Sequence, residues 1–261
     1  MMRSRPELRV CSLYPDRLNV YGDRGNLMVL ARRCAWRGFR FSVEVADVGD
    51  AIDPEAHDLF YLGGGQDRDQ RVAGSDLVET KLEALRAAAV RGAVLLGICG
   101  GYQMLGRTYD VEGVSLAGLG LVDARTERSA APRLIGPVSV EIELDGTRRV
   151  LAGFENHGGR THLGPGERPL GRVLRGHGSN GEDGWEGVRN GNVVGTYLHG
   201  PLLAKNAWLA DWLIATALGI PLSKLSPLDD AGEEAAHRSG VRAAARARPA
   251  QEPVPRDRGL Y

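Results

Sequence analysis

Cysteine is scarce in this chain, and the shortage excludes two kinds of site. The 261 residues include only three cysteines, Cys11, Cys34 and Cys99, and no two of them have CxxC spacing. An odd number without that spacing argues against a disulfide framework and against a cysteine-ligated zinc site. We therefore expect no metal centre, and we expect a reducing, cytoplasmic location.

Excess charge, long apolar runs and a phosphate-binding loop are also missing. Lysine plus arginine and aspartate plus glutamate both number 33, so the sequence predicts neither a nucleic-acid partner nor binding to an anionic membrane surface. No apolar run approaches the roughly 20 residues of a membrane helix, and the start does not resemble a signal peptide. The string GxxxxGK[ST] is absent, so we expect no P-loop ATP site.

Glycine, by contrast, is abundant, with 36 residues. In the first 106 residues, glycines separate predicted strands from predicted helices, which alternate along the chain. Crossover helices between successive strands are typical of a mainly parallel, doubly wound α/β sheet. Ligands bind to such sheets at the carboxyl ends of the strands, where the glycine runs 63–65 and 100–101 fall. The hydrophobic pattern predicts strands at 8–14, 41–47, 58–62 and 93–98, and helices at 25–38, 76–92 and after residue 100.

The remainder of the chain has a different pattern. Short alternating segments such as 138–144, separated by turn signals, predict antiparallel hairpins on the same domain over 107–192. A strand at 193–200 that ends in a histidine and a closing helix at 205–218 follow. We place the domain at 8–226 and interpret 227–261 as a tail that is part helical or disordered, with a docking arm for a partner as the alternative.

The string GAVLLGICGGYQMLG around Cys99 is the most informative of the chain. An apolar strand that turns through glycines into a helix is the pattern of a nucleophile elbow, which exposes the reactive side chain in a strained conformation. The following helix dipole favours the thiolate form of a cysteine at that position. The alternative, a buried cysteine of the hydrophobic core without a catalytic role, does not explain the flanking glycines.

A nucleophilic cysteine needs a base and a pair of oxyanion donors. His199 is the first choice of base because it also ends a predicted strand, and His157 in FENHGGRTHLG is the alternative. The backbone N–H groups of the glycine run 63–65, together with Gly100, are the candidate donors for an oxyanion. A triple glycine is by itself often only a turn.

Taken together, YLGGGQDRD (61–69), GICGGYQMLG (97–106) and GTYLHGP (195–201) resemble the class I, or triad, glutamine amidotransferases. The chain is most similar to their cobyric-acid-synthase-like branch, and within it to the glutaminase subunits of lipid II isoglutaminyl synthases. LNVYGDRGN (18–26) and ENHGGRTHLG (155–164) carry that finer likeness. The resemblance covers about residues 8–226 and implies a flavodoxin-like fold with antiparallel hairpin additions.

The resemblance also implies a reaction and a set of roles. Cys99 attacks the side-chain amide of L-glutamine, His199 protonates the departing ammonia, and water hydrolyses the thioester to glutamate. Gly100 and either Gly64 or Gly65 hold the oxyanion. Gln103 matches a substrate-contacting position, and Arg133 lies where the subfamily has an arginine suited to the α-carboxylate.

One departure from the family pattern concerns the third member of the triad. Most class I amidotransferases have a glutamate two residues after the catalytic histidine. In this chain that position is Pro201, and Leu202 and the residues next to it are not acidic. Asp23 and Glu155 are the candidates within this chain. A partner subunit is the third source, which would couple ammonia release to assembly.

The resemblance further implies a Mur-ligase-like partner subunit in a heterodimer. That partner would bind ATP and Mg, with no cofactor on this chain, and would amidate the α-carboxyl of D-glutamate in a lipid-linked stem peptide. Three alternatives remain open: a glutaminase for another ATP-dependent synthetase of the cobyric acid type, a catalytically silent scaffold subunit, and a free-standing hydrolase of γ-glutamyl compounds.

Overall fold

The computed structural model describes residues 5–20 and 23–255. Tyr21 and Gly22, which belong to the string 18–26, and the last six residues of the predicted tail lie outside the described residues. Within the described part, no helix is both long and apolar enough to cross a membrane.

A central sheet positions the chemistry of the molecule. Its strands are β1 (Glu7–Leu13), β2 (Arg40–Ala46), β3 (Leu59–Leu62), β4 (Val94–Ile98), β13 (Val188–Asn190) and β14 (Val193–Thr196). In the described residues they have the order β13-β14-β4-β3-β1-β2, with parallel neighbours except for the antiparallel edge pair β13–β14. The doubly wound class predicted from the sequence is thereby confirmed.

The helices cover both faces of this sheet and begin and end close to the predicted positions, with one exception. The segment predicted as one helix over 76–92 begins earlier and contains a π-helical turn at Leu77–Lys81 between two α-helices. The helices are α1 (Arg24–Trp36), α2 (Asp67–Asp76), α3 (Leu82–Arg91), α4 (Gly100–Leu105), α5 (Leu202–Lys205), α6 (Ala207–Ala217) and α7 (Ala231–Ala244), with a 3-10 turn at Leu222–Lys224.

The alternation of side chains along the strands creates a separate core on each face. On β4, Val94 and Leu96 pack into the core that contains α1 and α6, whereas Leu95 packs into the core that contains α3 and α4. All three side chains are fully buried. The strand is apolar on both faces, as expected for a central parallel strand.

The segment predicted as antiparallel hairpins forms two further sheets. Their strands are β5 (Thr108–Val111), β6 (Val114–Ala117), β7 (Ala124–Arg128), β8 (Leu134–Leu144), β9 (Thr147–His157), β10 (Gly159–Leu163), β11 (Gly171–Arg175) and β12 (Trp185–Glu186). In the described residues the two sheets have the orders β10-β7-β5-β6 and β12-β11-β8-β9, and all their strand pairs are antiparallel except β5–β7. The long hairpin β8–β9 pairs residues 134–144 with 147–157.

The strand predicted over 193–200 ends earlier, because β14 stops at Thr196. His199 then forms an isolated antiparallel bridge with Phe154 of β9. The histidine is therefore held by the hairpin sheet as well as by the central sheet.

The predicted tail packs on the rest of the chain over its described part. Helix α7 contacts β8, β9 and α5, and Ala244 is completely buried. Beyond the helix, Gly176 N–H donates to the carbonyl of Arg248, and the indole of Trp185 donates to the carbonyl of Val254. Helix α7 is thus attached to the hairpin sheet and α5, and the segment after it is attached to the loop that follows β11 and to β12.

A buried guanidinium connects α1 to α6 and to the start of α7. The Arg33 side chain on α1 is 1% exposed, and it donates to Asp211 on α6 and to Asp230 beside α7, both at 2.7 Å. A buried charge requires such partners, because its desolvation costs several kcal/mol. The three helices are thus joined by one ionic cluster.

We expect Arg33→Met to lower the free energy of unfolding by about 3 kcal/mol, because Asp230 then loses its buried partner. Arg32→Met, on the exposed face of the same helix, removes only a contact over Trp36 and should cost about 1 kcal/mol or less. Urea denaturation measures both values. Equal losses in the two variants would contradict the structural role of the cluster.

Candidate active site

Cys99 lies at the turn between β4 and α4 in a strained backbone conformation. Its φ is 52° and its ψ is −104°, a region that costs a non-glycine residue about 1–3 kcal/mol. Tight packing against the neighbouring strand enforces the turn, since a Cβ on Gly101 would lie 2.4 Å from the carbonyl oxygen of Leu62. The geometry is that of the nucleophile elbow expected from the sequence.

His199 and Asp23 form a buried pair beside Cys99. The Nδ1 atom of His199 lies 3.1 Å from Oδ1 of Asp23, and both side chains are buried. Burial opposes the charge on the imidazole, but the hydrogen bonds to Asp23 and Cys99 outweigh it and raise the pKa of His199 to about 10. The three side chains therefore favour an imidazolium at neutral pH.

The second oxygen of Asp23 determines which glycines remain available to an oxyanion. The N–H of Gly64 donates to Oδ2 of Asp23 at 3.0 Å, so this predicted donor is already engaged. The N–H groups of Gly65 and Gly100 donate to no other group in the described part of the chain. The glycine loop lies directly against the pair, because a Cβ on Gly64 would be 3.0 Å from Cε1 of His199.

A cavity of about 430 Å³ opens at Cys99. This volume is within the range of small-molecule sites. A larger cavity of about 760 Å³ lies between α6 and α7 and contains none of the predicted site residues, so size alone does not identify the site. The smaller cavity is lined by residues of the glycine loop and α2, of the elbow and of the hairpin sheets: Val20, Gly65, Gln66, Asp67, Arg68, Gln70, Cys99, Gln103, Asp110, Glu112, Arg128, Arg133, Asn156, His157, Gly158 and Gly159.

Gln103 and Arg133, the two predicted substrate contacts, both line this cavity. The amide of Gln103 donates to the hydroxyl of Tyr197 at 2.9 Å. Arg133 is exposed, and Asn156 holds it through its side-chain oxygen and its carbonyl, both at 2.8 Å. These two bonds fix the guanidinium at the cavity, where its positive charge is available to a carboxylate.

Glu155 and His157, the alternative candidates, have other partners. Glu155 accepts hydrogen bonds from His177 and from the N–H of Gly178, so of the two acids proposed within the chain it is Asp23 that lies at His199. His157 stacks on Tyr197 at 3.6 Å, and its Nδ1 atom lies 2.8 Å from the carbonyl of Gly159. Burial lowers the pKa of His157 to about 3, which makes it a poor base.

Sequence reasoning missed Glu186, a buried carboxyl beneath the site. Its Oε1 atom accepts hydrogen bonds from the hydroxyl of Thr196 at 2.9 Å and from the N–H of Tyr197 at 2.6 Å. The carbonyl of Thr196 in turn accepts from the N–H of Cys99. Glu186 therefore supports the turn that carries His199, and nothing in the string GWEGV indicates this role.

The described residues contain no group of three His, Cys, Asp or Glu side chains placed to hold a metal ion.

Comparisons with known proteins agree on the kind of domain. Residues 9–207 match the family model of the CobB/CobQ-like glutamine amidotransferase domain. The chain is similar to the lipid II isoglutaminyl synthase (glutamine-hydrolyzing) subunit GatD of Staphylococcus aureus (strain N315), with 41% identity over 82% of this chain and 87% of that protein. It is also similar to the GatD subunit of Streptococcus pneumoniae (strain ATCC BAA-255 / R6), with 38% identity over 81% of each chain.

Two further relatives are more distant in length or in sequence. The cobyric acid synthase of Pelotomaculum thermopropionicum is 43% identical over 74% of this chain, but the match covers only 37% of that enzyme. The solved structure of PurLQS from Thermotoga maritima superposes with a TM-score of 0.55 and 21% identity, over 83% of this chain and 96% of that one. This last likeness concerns the fold alone, and it confirms the expected class.

We expect Asp23→Asn to slow alkylation of Cys99 by iodoacetamide at pH 7 by at least about tenfold. Loss of the carboxylate lowers the pKa of His199, so the imidazolium that stabilises the thiolate is no longer maintained. Mass spectrometry of the labelled peptide measures the rate. Asp16→Asn, an exposed carboxylate in the same loop, is the matched control and should alkylate at the wild-type rate. An unchanged rate in Asp23→Asn would assign the orienting acid elsewhere.

Glu186 gives a pH-dependent prediction for stability. Burial raises the pKa of its carboxyl from 4.5 to about 8, against the opposing hydrogen bonds from Tyr197 and Thr196. Because the folded pKa lies above the unfolded one, the wild type loses stability as the pH rises from about 5 to 8, and Glu186→Gln does not share this loss. The unfolding free energy of the variant should therefore rise relative to wild type over this interval in urea titrations.

The exposed Glu79→Gln variant is the control for that titration, and its difference from wild type should not change with pH. A constant difference for Glu186→Gln would show that the carboxyl is ionised without cost in the folded state.

Proposed function

This chain belongs to the CobB/CobQ-like glutamine amidotransferase family, and from that premise we propose that it is the glutamine-hydrolysing subunit of a lipid II isoglutaminyl synthase. The observation that carries the proposal is the strained Cys99 beside the buried His199–Asp23 pair. The identities of 41% and 38% to two GatD subunits, over more than four fifths of each chain, support the choice of reaction.

The first half of the reaction transfers the acyl group of glutamine to the enzyme. The Cys99 thiolate attacks the carbon of the side-chain amide, and the N–H groups of Gly65 and Gly100 bind the resulting oxyanion. The His199 imidazolium then donates its Nε2 proton to the amide nitrogen, so that the C–N bond breaks and ammonia leaves. A thioester remains on Cys99.

The second half of the reaction releases glutamate. His199, now neutral, accepts a proton from water as that water attacks the thioester carbon. The C–S bond breaks, and the thiolate and imidazolium are restored. Asp23 holds the imidazole by Nδ1 throughout, so that Nε2 remains directed at the reacting atoms.

The cavity supports an amino acid as substrate. Arg133 supplies a guanidinium for the α-carboxylate, and Gln103 lies one turn beyond Cys99 on α4. Both residues face a space large enough for glutamine, whose side-chain amide would reach Cys99. No cofactor enters the proposed reaction on this chain.

The ammonia passes to a Mur-ligase-like partner subunit, which would bind ATP and Mg and activate the α-carboxyl of D-glutamate in the lipid-linked stem peptide. The word subunit in the names of the two GatD relatives supports such a partner. The acid that orients His199 comes from Asp23 in this proposal, so hydrolysis does not require a carboxylate from the partner.

A second candidate acceptor is of the cobyric acid type. The 43% identity to a cobyric acid synthase favours it. However, the match to that synthase covers only 37% of the enzyme, whereas the match to the GatD subunit of Staphylococcus aureus covers 87% of that protein, which favours lipid II as the acceptor. The two acceptors are distinguished by the synthetase that this chain stimulates.

The deciding experiment measures ammonia release from L-glutamine by the chain alone and with a Mur-ligase-like partner, with Cys99→Ala as control. Release that depends on Cys99, with amidation of lipid II by the pair, would establish the proposal. Release without lipid II amidation by any such partner would leave a glutaminase for a different synthetase. No release in either setting would favour a silent scaffold subunit.

We expect the glutamine analogue 6-diazo-5-oxo-L-norleucine to label Cys99 alone. Burial raises the pKa of Cys11 and of Cys34 to about 12, so those two thiols remain protonated and inaccessible. Intact-protein mass spectrometry should show one adduct, which disappears in Cys99→Ala. Glutamine in excess should protect the thiol, and labelling that glutamine does not slow would contradict a glutamine site at Cys99.

A further inference from the structure

Gln70 lies on α2 at the edge of the cavity and has no role in the reaction described so far. Its side chain is 6% exposed and lines the cavity that opens at Cys99. Its N–H donates to the carbonyl of Gln66, and its carbonyl accepts from the hydroxyl of Tyr109. The residue is therefore held in place at the level of the backbone.

The amide of Gln70 lies against both glycines that keep an available N–H. A Cβ on Gly100 would be 3.0 Å from Cδ and from Nε2 of Gln70, and a Cβ on Gly65 would be 3.4 Å from its Cγ. The three atoms nearest to the Gly100 position all belong to Gln70. A group so close to the two proposed oxyanion donors also lies close to the substrate atoms that they hold.

The orientation of this amide follows from its one hydrogen bond. Nε2 lies 2.7 Å from the carbonyl oxygen of Gly65, and a carbonyl accepts only from a donor, so the NH2 group faces Gly65. The Oε1 atom accordingly faces away from Gly65. It accepts no hydrogen bond within the described residues and is not sealed from solvent, so it is open to the cavity.

An open acceptor at this place is available to a substrate donor, and glutamine has two. The amide nitrogen must face His199, because His199 protonates it as ammonia leaves. His199 lies against Gly64, whereas Gln70 lies against Gly65 and Gly100. His199 and Gln70 thus lie against different glycines of the site. With the amide nitrogen directed at His199, the donor that remains for Gln70 is the α-ammonium.

We propose that Oε1 of Gln70 accepts a hydrogen bond from the α-ammonium of the substrate and makes Gln70 a specificity-determining residue for free glutamine. This inference rests on the proposed function, since it concerns the same substrate at the same site. The α-carboxylate goes to Arg133, so that two residues from different elements, α2 and the loop before β8, recognise the amino acid end. A substrate without an α-amino group forfeits the contact with Gln70 only.

The test compares L-glutamine with 4-carbamoylbutanoate, which is glutamine without its α-amino group. Ammonia release is measured for wild type and for Gln70→Met, in the complex with the partner subunit. A hydrogen bond to a charged group changes affinity by about ten- to a hundredfold. We expect Gln70→Met to reduce kcat/KM for glutamine by about that factor and to leave kcat/KM for the analogue within about threefold.

The ratio of the two kcat/KM values is obtained on a single preparation, so a partly unfolded variant does not distort it. Gln70→Asn, whose shorter amide withdraws the acceptor from the cavity, is a second variant and should lower the ratio in the same way. Gln251→Leu, an exposed glutamine in the C-terminal segment, is the matched control and should keep the wild-type ratio.

Two outcomes overturn the inference while the proposed function stands. Unchanged kcat/KM values for both substrates would mean that Oε1 does not contact the α-ammonium. Equal losses on both substrates, which also leave the ratio unchanged, would mean that Gln70 acts only through Gly65 and the oxyanion. Wild-type protein that releases no ammonia from glutamine would instead overturn the proposed function, and the assignment of Gln70 with it.

Discussion

The carboxylate of Asp23 is the interaction on which the site depends. One oxygen lies 3.1 Å from His199 and the other accepts the N–H of Gly64 at 3.0 Å, in a place where the side chain is completely buried. A buried carboxylate without partners would cost several kcal/mol. The residue before α1, the loop after β3 and the turn after β14 must therefore meet for this charge to be compensated.

This constraint also explains how the chain tolerates the strain at Cys99. The N–H of Cys99 donates to Thr196 and the N–H of Gly101 donates to Gly63, so the elbow is bonded to the strand ends on both sides. The absence of a Cβ at Gly101 allows α4 to approach β3 closely enough for the second bond. Backbone strain of this kind persists only where several independent contacts hold the same conformation.

The hairpin sheets hold two parts of the site in place. Phe154 holds the backbone of His199 by two hydrogen bonds, and the end of the same strand carries Asn156, which orients Arg133. Cys99 and His199 thus follow strands of the central sheet, whereas Arg133 and the residue that orients it come from the hairpin additions. This division is common in open α/β folds, where loops at the carboxyl ends of strands bind the ligand.

The sequence by itself determined the fold class, the elbow at Cys99 and the choice of His199, because these depend on local patterns: apolar runs, flanking glycines and strand ends. Only the tertiary structure decided between Asp23 and Glu155, since Asp23 is 176 residues away from His199 and the distance between them depends on how β1, β3 and β14 are ordered in the sheet. It also decided that the N–H of Gly64 donates to Asp23, that Glu186 lies under the site and that the side chain of Gln70 lies against Gly65 and Gly100. Hydrogen bonds between distant segments leave no periodic pattern along the chain, so they cannot be predicted from the local sequence.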